Sequence, residues 1–172
     1  MKLRLSELYA QGRPPDCRNT SQRSISCNVS PGALVTASST PPLQAELNWA
    51  GDLRFEARSG RIALTVDSAS LEGPSPMQAL ALALAGCMAM DVVHILRKGR
   101  LEPAAVRVTF SGHRAPEQPS RFTAIALHFV VTGPIPAESL TSALDLSHEK
   151  FCSVWHSMRS DIELTLTSET HR

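Results

Sequence analysis

The sequence predicts an α+β fold built around one apolar helix, and three observations lead to this prediction. Residues 77–90 are hydrophobic apart from Gln78 and Gly86, which indicates a helix that requires burial on all sides. Alternating hydrophobic residues before and after this segment predict strands. The predicted elements follow the order β-β-α-β-β-α-α-β with the apolar helix central and buried, and this order is typical of an α+β arrangement.

The first two predicted strands form a hairpin that begins at about Ala45. The first strand carries hydrophobic residues at odd positions, namely Leu47, Trp49, Leu53 and Phe55. Residues 58–61 read Arg-Ser-Gly-Arg, which favours a turn. The second strand alternates in the same way through Ile62, Leu64 and Val66.

The apolar helix has recognisable start and stop signals. Ser75 is a good N-cap, and Pro76 suits the first helical position because its missing N–H costs nothing there. Gly99 is a plausible stop, with Arg97 and Lys98 in the last turn. A membrane span is the competing interpretation, but the uninterrupted apolar run is shorter than a bilayer requires, so a buried core helix is favoured.

The second half of the chain predicts three more strands and two helical segments. A third strand contains Val106, Val108 and Phe110, and a fourth places Ile125, Leu127, Phe129 and Val131 on one face. Helical sequence runs over residues 137–146 and begins again after Cys152. A last strand contains Ile162, Leu164 and Leu166.

Composition divides the chain into a leader and one domain. Residues 1–43 are rich in Ser, Pro, Arg and Thr, and we interpret them as a disordered or leader segment, a transit peptide being one alternative. Residues 44–172 form the predicted domain. The formal net charge is +1, which gives no indication of nucleic acid or an anionic membrane surface as a partner.

Cysteine usage points to reduced thiols rather than to a disulfide scaffold or a metal centre. The four cysteines include no Cys-x-x-Cys pair, so we predict no structural zinc and no cofactor. Reduced cysteines fit a cytoplasmic protein. Cys17 and Cys27 lie in the leader, and we assign them no chemistry.

A second copy of the chain is predicted from the apolar helix. A domain with so few strands has difficulty in covering a helix that is apolar on every side. Obligate homodimer interfaces resemble a domain core cut in half. We therefore expect a homodimer in which the partner chain covers the remaining face.

Two cysteines in two different helical segments are the candidate redox residues. Cys87 lies within the apolar helix, and Cys152 lies where a new helix begins. A helix N-terminus lowers a thiol pKa, so we expect a lowered pKa for Cys152. Asp91 lies one turn from Cys87, and we expect it to pair with a cation elsewhere. The plain alternative is that both cysteines are inert buried thiols.

The sequence resembles the OsmC/Ohr family of thiol-dependent hydroperoxide reductases, and within it the YhfA-like branch. The stretches that carry the resemblance are Gly73-Pro-Ser-Pro-Met77, Ala85-Gly-Cys87, Asp91-Val-Val93, Ile95-Leu96, Arg121-Phe-Thr123, Leu127-His-Phe-Val-Val-Thr-Gly133, Leu146-Ser147 and Glu149-Lys150-Phe-Cys-Ser-Val154. The resemblance implies an intertwined homodimer with active sites at the interface between the two chains. It also implies that Cys87 is the peroxidatic thiol and Cys152 the resolving thiol.

The family's peroxidases also use an arginine and a glutamate, and this part of the pattern is not matched. The position of the glutamate falls on Met77, and Gln78 points to the side of the helix opposite Cys87. The first hairpin offers three arginines, and Arg54 is the best candidate because it lies within a strand. We therefore expect weaker peroxidase activity than in a relative that carries both residues.

Two functions remain open at this point. The first is a two-cysteine peroxidase that reduces hydroperoxides and is restored by an external dithiol. The second is a non-catalytic dimer that binds a small apolar ligand or acts as a redox sensor. A cationic side chain at the sulfur of Cys87 would favour the first, and an apolar surround would favour the second.

Overall fold

Six strands and three helices, with one π-helical turn, make up the fold that the computed structural model describes for residues 41–172. The strands are β1 Glu46–Trp49, β2 Arg54–Ser59, β3 Ile62–Asp67, β4 Ala105–Arg114, β5 Phe122–Thr132 and β6 Glu163–His171. The helices are α1 Pro76–Lys98, α2 Ala137–Leu146 and α3 Ser153–His156, and the π turn is Ser147–Phe151. The leader prediction for residues 1–43 falls almost wholly outside the described residues and stays a prediction.

The predicted α+β class is confirmed, but the first predicted strand is in fact two strands. A tight turn at Gly51 and Asp52 separates β1 from β2, and both residues have positive φ angles, 102° and 48°. Glycine adopts this region freely, and Asp is one of the residue types that tolerate it best. The alternation of hydrophobic residues continues across the turn, which is why the two strands read as one.

The first sheet has the order β1-β2-β3, with antiparallel neighbours. Its register pairs Trp49 with Phe55 and Phe55 with Val66, so that these side chains share one face. Ala57 and Leu64 form a further pair on that face. The apolar face is solvent-exposed in a single chain, and Trp49 is 69% exposed.

The second sheet has the order β4-β5-β6 and carries the core. β4 and β5 are antiparallel, whereas β5 and β6 are parallel. A parallel pair requires a crossover connection, and here α2, the π turn and α3 provide it. The four hydrophobic residues predicted to share one face of β5 pack in the core against α1, and they are Ile125, Leu127, Phe129 and Val131.

The ends of α1 lie where the sequence predicts them. Ser75 is the N-cap, Pro76 is the first helical residue, and Gly99 is the C-cap after Arg97 and Lys98. Gln78 completes a capping box, because its side-chain oxygen accepts a hydrogen bond of 2.8 Å from the Ser75 amide. Gln78 therefore stabilises the start of the helix.

Within one chain, α1 is buried along a single stripe. The fully buried residues are Leu84, Met88, Val92 and Leu96, at the spacing of one helix face. On the opposite side, Leu82 is 66% exposed and Met90 is 69% exposed. The expectation of burial on all sides is therefore not met by one chain. By length and composition alone, the helix could cross a membrane. The core helices of soluble proteins pass the same test, so this property is weak evidence for a membrane span.

The loop between β3 and α1 is organised by Asp67, which sequence reasoning did not single out. Its carboxylate accepts hydrogen bonds from the amides of Ala69, Leu71 and Glu72, at 2.9, 3.0 and 3.1 Å. These amide hydrogen bonds, with a smaller contribution from the charge of Arg54, lower the pKa of Asp67. The side chain is almost fully buried, so the loop closes over it.

We expect Asp67→Asn to lower the melting temperature by several degrees at neutral pH. The side-chain NH2 group of asparagine is a donor and would face at least one of the backbone N–H groups that now donate to the carboxylate. Since the folded pKa is lowered, the carboxylate stabilises the fold above its ordinary value of 3.8, and this stabilisation decreases as the pH falls through the folded pKa. Thermal unfolding between pH 2.5 and 7 should show the gap to wild type narrowing in acid. Asp52→Asn, in an exposed turn, is the matched control. An equal gap at all pH values would contradict this role.

Candidate functional site

The two candidate cysteines, far apart in sequence, lie side by side in the fold. The Cys87 and Cys152 sulfurs and a carboxylate oxygen of Asp91 all lie within 4.8 Å of one another. Cys87 and Asp91 come from successive turns of α1, and Cys152 is the N-cap of α3. Both cysteines are free thiols. The sulfurs of Cys87 and Cys152 are therefore close enough for a disulfide bond to form between them after a small movement.

The sulfur of Cys152 is held in a dry environment. The residue has no solvent exposure, whereas Cys87 is half-buried. The amide of Trp155 donates a hydrogen bond of 3.4 Å to the Cys152 sulfur, as expected at the start of a helix. Cys87 is therefore the more accessible of the two residues.

The expected lowering of the Cys152 pKa is wrong. Burial, with smaller contributions from the neighbouring Cys87 and Asp91, raises the pKa of the Cys152 thiol from 9.0 to about 12. The Trp155 amide acts in the opposite direction but has a smaller effect. Desolvation of the thiolate outweighs the favourable helix end. Cys152 is therefore protonated at neutral pH in the reduced protein.

Asp91 is oriented by a buried serine, which sequence reasoning missed. The hydroxyl of Ser147 donates a hydrogen bond of 2.9 Å to the Asp91 carboxylate, and Ser147 has no solvent exposure. Ser147 begins the π turn that follows α2, so this turn connects α1 to the segment that carries Cys152. The expected cationic partner is not found: no Lys or Arg among residues 41–172 of one chain forms an ion pair with Asp91.

Arg54 lies at the start of β2, and within one chain its partners are not the cysteines. Its guanidinium forms an ion pair with Glu72 and donates a hydrogen bond of 3.3 Å to the carbonyl of Ala50. Alternation along β2 places Arg54 on the face of the sheet opposite Phe55. An arginine–glutamate pair is therefore present, although Glu72 is not at the position that the family pattern assigns. No Lys or Arg of the described chain is among the groups that shift the pKa of Cys152.

A cavity of about 560 Å³ lies beside α1 but does not include either sulfur. It is lined largely by apolar groups, among them Ala81, Leu82, Ala85, Val108 and Phe110. The exposed side of α1 contributes to its wall through Leu82.

Comparison of the chain with known protein families identifies the class of protein to which it belongs. The family model for OsmC-like protein matches residues 67–167, which is more than half of the chain. The chain therefore belongs to the OsmC-like family, as the sequence motifs indicate. Protein YhfA of Escherichia coli K12 is 38% identical over 130 residues, covering 74% of this chain and 97% of that protein.

Solved structures show the same fold. A hypothetical protein from Aquifex aeolicus VF5 superposes with a TM-score of 0.71 at 26% identity, covering 76% of this chain and 97% of that one. An organic hydroperoxide resistance protein OsmC from Legionella pneumophila, described also as a predicted redox protein, gives a TM-score of 0.59 at 18% identity. It covers 77% of this chain and 99% of that one. Hydroperoxide resistance proteins are thus among the structural relatives of this chain.

Proposed function

We propose that this protein is a two-cysteine thiol peroxidase that reduces hydroperoxides, with Cys87 as the peroxidatic thiol and Cys152 as the resolving thiol. The observation that carries the proposal is the proximity of the two sulfurs, which come from separate helical segments and lie within 4.8 Å of each other and of Asp91. A half-buried thiol beside a fully buried one suits such a reaction, because peroxide must reach the first sulfur, whereas the second sulfur needs to meet only the first.

The first step is attack of the Cys87 thiolate on the peroxide. The sulfur forms a bond to the terminal oxygen of ROOH, the O–O bond breaks, and the alkoxide leaves as ROH after taking up a proton. Cys87 is thereby oxidised to the sulfenic acid, and the two electrons that its sulfur loses reduce the peroxide to the alcohol.

The second step joins the two cysteines. The thiol of Cys152 attacks the sulfur of the Cys87 sulfenic acid, the S–O bond breaks, and the disulfide forms. The thiol proton leaves with the hydroxide as water, and the Asp91 carboxylate, held by Ser147, lies where it can relay that proton. An external dithiol then reduces the disulfide to two thiols by thiol–disulfide exchange.

The proposal includes a homodimer, which two uncovered apolar surfaces support. One is the exposed side of α1, with Leu82 and Met90, and the other is the apolar face of the first sheet, with Trp49. Contiguous exposed apolar patches commonly mark protein–protein interaction sites. A second copy of the chain would cover both. We also propose a cytoplasmic location, because the paired thiols require a reducing compartment to regenerate.

We propose that Arg54 supplies the missing cation at Cys87 in the assembled dimer, with Glu72 orienting the guanidinium. A thiolate in an apolar site needs a positive charge, and the leaving oxygen needs a donor. The ion pair between Arg54 and Glu72 supports the proposal because it fixes an arginine on the sheet that precedes α1.

We expect Arg54→Ala to slow the oxidation of Cys87 about 100-fold, on the scale of losing one donor to a developing oxyanion. Stopped-flow mixing with cumene hydroperoxide and with hydrogen peroxide measures this rate. Arg58→Ala, an exposed arginine on the same strand, is the matched control and should leave it unchanged. Fast oxidation that Arg54→Ala does not slow would show that another group activates the thiol.

A ligand-binding or redox-sensing dimer is the second candidate, and two observations favour it. The charged group beside the sulfurs in one chain is a carboxylate, Asp91, and the apolar cavity beside α1 is large enough for a small ligand. Consumption of hydroperoxide in the presence of excess dithiol separates the two functions, because a sensor or binder would not turn over peroxide.

A further inference from the structure

We propose that Cys87, Asp91 and Cys152 form a binding site for a thiophilic divalent metal ion, Zn²⁺, with the fourth position open. This goes beyond the peroxidase function and holds or fails independently of it. Two thiolates and a carboxylate are ligand types that Zn²⁺ takes in proteins, and sites with three protein ligands keep an open fourth position. The sequence alone predicts no metal, because Cys152 is distant in sequence from the other two ligands and meets them only in the fold.

The geometry of the three ligand atoms is close to what the ion requires. In tetrahedral coordination with Zn–S bonds of about 2.3 Å, two sulfurs lie about 3.8 Å apart. Here each pair of ligand atoms lies within 4.8 Å, so a shift of about 1 Å, within reach of side-chain rotation, closes the site. Cys87 and Asp91 are four residues apart on α1, the spacing at which one helix face presents two ligands to one metal.

The groups around the ligands also suit a metal. Metal-bound carboxylates are commonly held by an outer hydrogen bond, and the fully buried Ser147 hydroxyl donates one to Asp91. The Trp155 amide donates to the Cys152 sulfur, which stabilises a thiolate. No Lys or Arg within residues 41–172 of the chain pairs with Asp91, so a metal cation would supply the positive charge that this carboxylate lacks within one chain.

Thiolate ligands select the ion. Soft sulfur ligands favour Zn²⁺ over Mg²⁺ or Ca²⁺, which prefer all-oxygen sites. Binding replaces the two thiol protons, which are released to solvent, by one divalent charge and involves no change of oxidation state. Since the same sulfurs form the disulfide, bound Zn²⁺ and the disulfide exclude each other.

The test uses the full chain with Cys17→Ser and Cys27→Ser, so that the core thiols are the only cysteines. The reduced, metal-free protein is titrated with Co²⁺, a spectroscopic probe for Zn²⁺ sites. We expect one equivalent per chain, with sulfur-to-cobalt charge-transfer absorption and visible bands of tetrahedral coordination, both removed by Zn²⁺. Ions bound at the exposed His128–Glu169–His171 cluster, where each imidazole lies within 3.6 Å of the carboxylate, would give no thiolate absorption.

The variants assign the ligands. Cys87→Ser and Cys152→Ser should each abolish the one-to-one thiolate signal, and Asp91→Asn should raise the Kd at least about tenfold. Ser147→Ala should weaken binding about 10- to 100-fold, as outer hydrogen bonds do. Asp145→Asn, an exposed carboxylate on α2, is the matched control and should bind as wild type does.

X-ray absorption spectroscopy needs no ligand variant, because it is measured on the Zn²⁺-loaded protein that retains both core cysteines. Its result is therefore independent of whether the variants fold. We expect two sulfur ligands per zinc, with oxygen completing the shell. The proposal is overturned by a shell without sulfur, by the absence of charge-transfer absorption at saturating Co²⁺, or by a Kd that Asp91→Asn leaves unchanged.

Discussion

Replacing Cys87 with serine should abolish hydroperoxide reduction, with a loss of at least about a thousandfold, on the scale seen when an enzyme loses its nucleophile. The serine hydroxyl is nearly isosteric with the thiol but does not form a nucleophile that attacks peroxide oxygen at neutral pH. Consumption of cumene hydroperoxide in the presence of excess dithiol measures the effect. Activity that survives in Cys87→Ser would overturn the assignment of this residue.

Cys152→Ser should divide the reaction into its two steps. The first oxidation, at Cys87, should proceed at close to the wild-type rate, because Cys152 is fully buried and takes part only in the second step. The intramolecular disulfide should not form, so the sulfenic acid should accumulate and react with dimedone. A Cys17→Ser/Cys27→Ser double variant is the control and should turn over as wild type does. Equal loss of the first oxidation in Cys152→Ser would contradict the separate roles.

A charge on the exposed side of α1 should break the homodimer. Met90 is 69% exposed in one chain but would lie in the proposed interface, where an unpaired ammonium group is costly because burial removes its hydration. We expect Met90→Lys to convert the protein from a dimer to a monomer or an aggregate at micromolar concentration. Sedimentation velocity measures the change.

The control for this variant places the same charge on a solvent-facing surface. Thr109 lies on the exposed face of β4, where Thr109→Lys should leave the dimer intact. If wild type sediments as a stable monomer at micromolar concentration, the dimer proposal is wrong. If Met90→Lys remains a dimer with wild-type stability, this side of α1 is not the interface.

The features of α1 that depend on neighbouring residues were predictable, and those that depend on distant ones were not. Ser75, Pro76 and Gly99 are local signals, because an N-cap, a first-turn proline and a C-terminal glycine act within one turn of the helix. The boundary prediction is confirmed for this reason. How much of the helix is covered depends on every element that packs on it, and one chain covers a single stripe.

The first hairpin shows where periodicity misleads. The hydrophobic alternation from Leu47 to Phe55 does not stop at the turn, so period alone gives one long strand. The backbone reverses at Gly51 and Asp52, which adopt positive φ angles. A Gly-Asp pair inside a strand pattern is a turn signal, and giving it more weight would have separated β1 from β2.

The candidate site was partly predictable. The motifs identify Cys87 and Cys152, and α1 places Asp91 one turn from Cys87. The hydrogen bond from Ser147 to Asp91 is a contact between segments distant in sequence, which no local pattern encodes. The direction of the Cys152 pKa was mispredicted because the helix end is a local feature, whereas burial is set by the whole fold.

The most direct measurement is the mapping of disulfides after oxidation. The reduced wild-type chain is treated with one equivalent of cumene hydroperoxide, the remaining thiols are alkylated, and the peptides are identified by mass spectrometry. We predict a single intramolecular bond between Cys87 and Cys152, with Cys17 and Cys27 alkylated. A bond between Cys17 and Cys27 with both core thiols alkylated would contradict the proposed redox pair.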